Sequence, residues 1–232
     1  MSCHLSVVIV ALNEAAGLPL LLADLARAPE LVGELLVVDG GSHDGTRRIA
    51  ALGGARVLSS PAGRGVQLGR GVAASAGAWM LLLHADARLP ADWPAVVSGA
   101  MAQGRRHAWA FRLGIAGPGP GLRLVELLVI LRSRLRSLPY GDQGLLIERS
   151  WLAAAGGIAP LPLMEDLELA ERLRCRQMIG LLPAALTVSA RRWRRLGVLG
   201  TSLANARLRR AWRRGVAPEA LAAAYERGRL GP

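Results

Sequence analysis

The sequence predicts an α/β fold with a mostly parallel central sheet flanked by helices and a basic helical C-terminal arm. Three observations carry that expectation. Two short apolar runs, Leu35-Leu36-Val37-Val38 and Met80-Leu81-Leu82-Leu83, each stop at a turn-forming cluster that contains an aspartate. Such runs read as strands buried on both faces of a parallel sheet. Strand and helix patterns alternate from Leu5 to about Gly104, as βαβ units do. From Ser189 to Pro232, eleven arginines stand against two acids, Glu219 and Glu226, in a chain of net charge +12.

The elements follow in order. Leu5 to Val10 forms an opening strand that ends at Ala11-Leu12-Asn13-Glu14, and a helix is expected from Ala15 to about Ala28. The second strand runs into Asp39-Gly40-Gly41-Ser42-His43-Asp44-Gly45-Thr46, and the third into His84-Ala85-Asp86. Gly114 to Gly121, rich in glycine and proline, is expected to be a loop. Leu122 to Leu138 reads as a helix with Leu124, Leu127, Leu128 and Leu131 on one face. Trp151 to about Gly156 and Asp166 to about Gln177 read as two further helices. After Arg195 come two short helical patterns, the second opening at Pro218-Glu219, a favourable first-turn pair. The expected division is a catalytic body over 1–190 and an arm over 191–232.

Composition narrows the class. A chain of 232 residues, 52% apolar, buries one substantial core. No uncharged stretch reaches the roughly 18 residues that span a bilayer, and no basic and then apolar leader opens the chain. The expected address is the cytoplasm. Cys3 and Cys175 suggest neither a disulfide framework nor a metal cluster. All 29 basic residues are arginine. The charged arm calls for an anionic partner: donor phosphates, an acidic membrane at the inner face, or nucleic acid. Nucleic acid ranks last, because aromatics are few and no recognition motif is present. The arm either lies on anionic lipid or docks on the body with its arginines solvated.

Ligands of open α/β sheets bind beyond the carboxyl ends of the strands. Asp39, followed by Gly40 and Gly41, and Asp86 stand there, which suggests a nucleotide and metal site in an enzyme. In Gly63-Arg64-Gly65-Val66-Gln67, Arg64 is placed to neutralise a phosphate and Gln67 to reach the same ligand. In Gly141-Asp142-Gln143-Gly144, Asp142 and Gln143 are placed to line an acceptor or sugar pocket. Local structural roles compete with each of these. Asp39, Asn13 and Glu14 can cap the following helices, and Glu165-Asp166 can serve as first-turn carboxylates favoured by the helix dipole.

Five segments in this order resemble the inverting family 2 glycosyltransferases of GT-A fold. They are Ser6 to Glu14, Val37 to Thr46, His84-Ala85-Asp86, Pro139 to Gly144, and Met164-Glu165-Asp166-Leu167-Glu168-Leu169. The likeness extends to a small branch called radical-SAM/selenodomain-associated transferase 2, some of whose members are linked to arsenosugar synthesis. By that resemblance Asp39 accepts a hydrogen bond from a uracil imide, and Asn13 and Glu14 close the nucleotide pocket. Asp86 binds a divalent metal and the donor diphosphate. His84 stands where the family usually has the first aspartate of Asp-x-Asp. It either joins the metal, favouring Mn2+ over Mg2+, or hydrogen-bonds a phosphate. Asp166 is the expected catalytic base, with Glu165 supporting it. Ser189-Ala190-Arg191-Arg192-Trp193 resembles the Gln-x-x-Arg-Trp element of processive members, with Arg192 on diphosphate and Trp193 as a pocket wall.

The resemblance implies transfer from a nucleotide-diphosphate sugar, UDP- ahead of GDP-, to a small or lipid-linked hydroxyl acceptor. The alternatives are a noncatalytic nucleotide-sugar or membrane-surface binder and a sugar-phosphate nucleotidyltransferase. The latter is disfavoured because Asn13-Glu14 replaces its glycine-rich loop.

Overall fold

The structure, a computed structural model, describes residues 5–104, 106–177 and 179–230. Cys3 and the last two residues of the arm lie outside them. In chain order the elements are β1 (Leu5–Ala11), α1 (Leu18–Leu25), β2 (Val32–Asp39), α2 (Thr46–Leu52), β3 (Arg56–Ser59) and α3 (Arg64–Ala74). Next come β4 (Trp79–His84), β5 (Ala87–Arg88), α4 (Trp93–Ala102), β6 (Ala108–Ile115) and α5 (Pro120–Arg136). A single 3-10 turn (Gly141–Gln143) leads to β7 (Leu145–Glu148), α6 (Arg149–Ala154), α7 (Glu165–Arg174), β8 (Gly180–Val188), α8 (Arg191–Arg213) and α9 (Pro218–Leu230).

One sheet runs through the molecule in the order β3-β2-β1-β4-β7-β6-β8-β5. Its first four strands are parallel, and β6 and β8 are parallel; β7 and β5 run against their neighbours. The central strands β1 and β4 are buried on both faces because they are apolar at nearly every position rather than at alternate ones. Val7 and Ile9 of β1 join Leu81 and Leu83 of β4 in one core with Leu18, Leu21 and Trp93. Val8 and Val10 join Met80 and Leu82 in the other, with Leu68, Leu169 and Leu173. Alternation with period two therefore delivers successive residues to two cores. Helix α3 lies close on the second face because Gly71 has no side chain; a Cβ there would collide with Val8.

One sequence expectation needs correction. Gly114 and Ile115 are not loop but the end of β6, paired with Thr187 and Val188 of β8. The loop is only 116–119, and Pro120 opens α5, where its missing N–H costs nothing. On α5, Leu124, Leu127, Leu128 and Leu131 share a face, but it is the exposed one. The face turned inward carries Leu122, Val125, Val129 and Ser133. Among the described residues, no helix is long and apolar enough to cross a membrane.

Candidate active site

The register of the parallel strands aligns their carboxyl ends. Ala11 pairs with Asp39 on one side of β1, and Val10 pairs with His84 on the other. The loops beyond β1 and β2 are sewn together by the polar residues that turn chemistry favours. Ser42 Oγ accepts the Asn13 N–H at 2.8 Å, Thr46 Oγ1 accepts the Glu14 N–H at 2.8 Å, and Asp44 Oδ2 accepts the Ala15 N–H at 3.1 Å. Asn13 Oδ1 in turn accepts the His43 N–H, with Asn13 held in the left-handed region at φ 55°. Asn13 thus fixes loop geometry.

Asp39 divides its carboxylate between two tasks. Oδ2 accepts the N–H groups of Gly41 and Ser42 at 3.2 and 3.1 Å. Oδ1 is buried and has no partner among the described residues. A buried acceptor without a donor is rare and costly, and it fits a ligand N–H.

Beyond these ends lies a cleft in two halves. One, of about 380 Å³, is lined by Glu14, Arg64, Asp86, Arg191 and Arg192. The other, of about 210 Å³, is lined by Asp142, Asp166, Trp193, Asn205 and Arg209. Arg64, His84, Asp86, Arg192 and Tyr225 border both, so His84 and Asp86 mark the junction. Arg64 donates to the Tyr225 hydroxyl at 3.3 Å, and the Arg192 guanidinium lies 4.4 Å from the centre of the same ring. Burial works against the charge of Arg64, but Tyr225, Glu165 and Asp166 more than restore it and raise its pKa. Burial and the Arg64 charge together hold the His84 imidazole down at about 3, so it is neutral.

Across the junction stand the carboxylates of α7. Met164, immediately before them, takes a left-handed conformation at φ 68°, which is strained for a long side chain and is common at functional sites. Asp166 accepts the Gly141 N–H on Oδ2 and its neighbour Leu167 N–H on Oδ1, both at 2.7 Å. Gly141 separates it from His84: a Cβ there would lie 3.0 Å from His84 Nε2 and 3.3 Å from Asp166 Oδ2. Glu165 instead turns beneath the cleft. It is 1% exposed, neither oxygen has a partner among the described residues, and burial with the adjacent Asp166 pushes its pKa up to about 8. Asp142 is raised to about 6, mainly by burial.

Two polar side chains expected to meet a ligand are largely buried and bonded within the protein, although Gln67 still borders the larger half of the cleft. Gln67 is 4% exposed, and its amide nitrogen donates to the carbonyls of Ala11 and Val38, clamping the ends of β1 and β2. Gln143 is fully buried; it donates to Phe111 O and accepts from Arg132, Ser133 and Tyr140. Gln143 therefore supports the wall from behind, and Asp142 faces the cavity.

Arg191 was missed by sequence reasoning. Its guanidinium lies 2.6 Å from Glu14 Oε1 and 3.6 Å from Asp86 Oδ2. Tyr225 was missed too, although it is one of only two tyrosines in the chain. Among the described residues, no cluster of three or more His, Cys, Asp or Glu is arranged around a metal position. Asp86 and neutral His84, on alternate residues at one strand end, fit a divalent ion that takes its remaining oxygens from a bound diphosphate. Arg191 would have to share Asp86 with that ion or leave it.

The sequence matches the family model for glycosyl transferase family 2 over residues 6–147. No curated protein matches the chain. Among solved structures, one similar fold is glucosyl-3-phosphoglycerate synthase from Mycobacterium tuberculosis with Mn2+, UDP-glucose and phosphoglyceric acid. The TM-score is 0.63 at 25% identity, covering 81% of this chain and 71% of that one. The same enzyme with Mg2+ and UDP gives 0.60 at 23% identity, covering 81% and 70%. The architecture is that of GT-A glycosyltransferases.

Proposed function

Because the chain belongs to glycosyl transferase family 2, we propose that it moves a sugar from a UDP-sugar to the hydroxyl of a small or lipid-linked acceptor, with inversion at the anomeric carbon. The observation that carries this reading is the placement of Asp86 and His84 at the junction of the two half-clefts, with Asp166 facing them across Gly141. The half lined by Arg64, Arg191 and Arg192 suits a diphosphate, since guanidinium pairs bind phosphate oxygens through charge-assisted hydrogen bonds. Asp39 Oδ1, buried and without a donor, suits the imide N–H of uracil. UDP-glucose in the mycobacterial structure agrees with that choice of base.

Asp166 is the base. As the acceptor oxygen attacks the anomeric carbon, its proton passes to an Asp166 oxygen and the bond to the diphosphate breaks, releasing UDP. Backbone N–H groups on both Asp166 oxygens fix the carboxylate in place. Burial, with Asp166 beside it, pushes the pKa of Glu165 up to about 8 and so favours its protonated form. Mn2+ or Mg2+ on Asp86 and His84 would offset the charge that develops on the departing diphosphate.

The reading is tested by calorimetric titration of UDP with and without Mn2+, alongside UDP release from UDP-sugars over an acceptor panel. Asp166→Asn is expected to lower turnover by roughly 10²–10⁴ while UDP binding survives. Asp86→Ala is expected to abolish the metal-dependent part of binding. Wild-type protein that binds no nucleotide would sink the donor assignment; binding without turnover on any acceptor would favour a noncatalytic binder.

A further inference from the structure

Helices α5 and α8 run side by side. Val198 of α8 packs over Gly121 near the start of α5. Eleven residues further along each helix, Arg132 and Arg209 both stack on the Tyr140 ring, at 3.6 and 5.5 Å. The faces turned inward meet over Leu122, Val125, Val129 and Trp193. The faces turned outward are apolar and uncovered. Leu127 is 60% exposed, Leu128 55% and Leu135 72% on α5; Leu199 is 78% and Leu203 56% on α8. Exposed leucines that recur along one face of each helix mark an interaction surface.

The charge around them is of one sign. Helix α8 contains no acidic residue, and the single acid of α5, Glu126, is spent on Arg123 and on the Ile115 N–H. Arg134, Arg136, Arg195, Arg207, Arg210 and Arg214 are exposed, and none is ion-paired among the described residues. A second copy of the chain presenting the same face would set arginine against arginine. A nucleic acid would use the charge and leave the leucines in water. Leucines bordered by arginines, on helices that cannot span a bilayer, match a surface that lies in the headgroup layer of an anionic membrane.

We propose that the outward faces of α5 and α8 form a docking surface for anionic phospholipid, the leucines entering the acyl boundary and the arginines meeting the headgroups. This rests on the surface and not on the reaction proposed above. Asn205, Leu208 and Arg209 of α8 also line the acceptor half of the cleft, so docking brings that half to the membrane. A lipid-linked acceptor would then be presented in two dimensions rather than drawn from solution.

The test is co-sedimentation of the full chain with vesicles of mixed phosphatidylglycerol and phosphatidylcholine, and with phosphatidylcholine alone. Wild type is expected to bind only the anionic vesicles. Leu127→Ser with Leu131→Ser, and separately Arg207→Gln with Arg210→Gln, are each expected to weaken partitioning by about tenfold or more. All four positions are exposed, and an unchanged thermal melt verifies the fold. The proposal is overturned by absence of binding to anionic vesicles, by equal binding to neutral ones, or by binding that ignores the leucine pair. Concentration-dependent self-association that the same leucine pair abolishes would also overturn it, assigning the face to a second copy. Because UDP binding is measured separately, failure here leaves the donor assignment standing.

Discussion

Glu165 is the residue with the sharpest consequence. Its carboxyl is 1% exposed with no hydrogen-bond partner among the described residues, and burial raises its pKa from an ordinary 4.5 to about 8. Between those values the folded chain keeps a proton that the unfolded chain has released, so stability falls as pH rises through this window. Glu165→Gln has no proton to lose. The variant is expected to gain on wild type from about pH 4.5 upward, by on the order of a few kcal/mol at pH 8, with no further gain above it. Urea denaturation across pH measures the difference, and a constant gap would mean that Glu165 is ionised in the fold. The positions of Asp39, at the end of β2, and of Asp86, two residues past the end of β4, were legible in the sequence because an apolar run halted by a turn marks where a strand stops. Arg191 was not. Neighbouring helix residues point about 100° apart, and which of Arg191 and Arg192 meets Glu14, 177 residues away, depends on how Trp193 and Val198 seat the helix.

At the scale of elements, the loop that carries Asp86 is held from outside the cleft. Asp24 of α1, 3% exposed, accepts Arg88 Nε at 2.7 Å, Arg88 Nη2 at 3.0 Å and the Leu89 N–H at 3.0 Å. Its backbone carbonyl accepts Trp93 Nε1 at 2.9 Å, which ties the start of α4 to the same point. This network anchors β5, which begins one residue after Asp86. Asp24→Ala leaves the Leu89 N–H and part of Arg88 unsatisfied and is expected to cost about 2–4 kcal/mol. UDP affinity should fall with it, because Asp86 loses its support. Full stability in that variant would show that the pair is dispensable. In the βαβ half, β1, β2 and β4 were readable because each contains a continuous apolar run, whereas β3, four residues with exposed Arg56 and Ser59 at its ends, was not. The half built from β6, β7 and β8 was obscured: β8 alternates buried and exposed positions around Pro183, and β6 ends in a glycine-containing stretch. Helix α8 hides a break at Gly197, where φ is 69°, inside an otherwise helical sequence.

For the molecule as a whole, the division into a body over 1–190 and an arm over 191–232 makes a prediction about cooperativity. The arm is tied to the body at widely separated points. Arg191 pairs with Glu14, Tyr225 bonds Arg64, and Val198 and Trp193 close a core made by Leu113, Ile115 and Leu122. Release of the arm would open that core and strip the cleft of Arg191, Arg192 and Tyr225. We therefore expect arm and body to unfold together, as a single calorimetric transition whose van't Hoff and measured enthalpies agree. Amide exchange in α8 should then be as slow as in β1. UDP, which engages both parts in the proposed site, should raise that one transition, adding about 2.7 kcal/mol at a hundredfold excess over Kd. Two resolved transitions, with only the later one moved by UDP, would make the arm an independent unit and would place donor binding within the body alone.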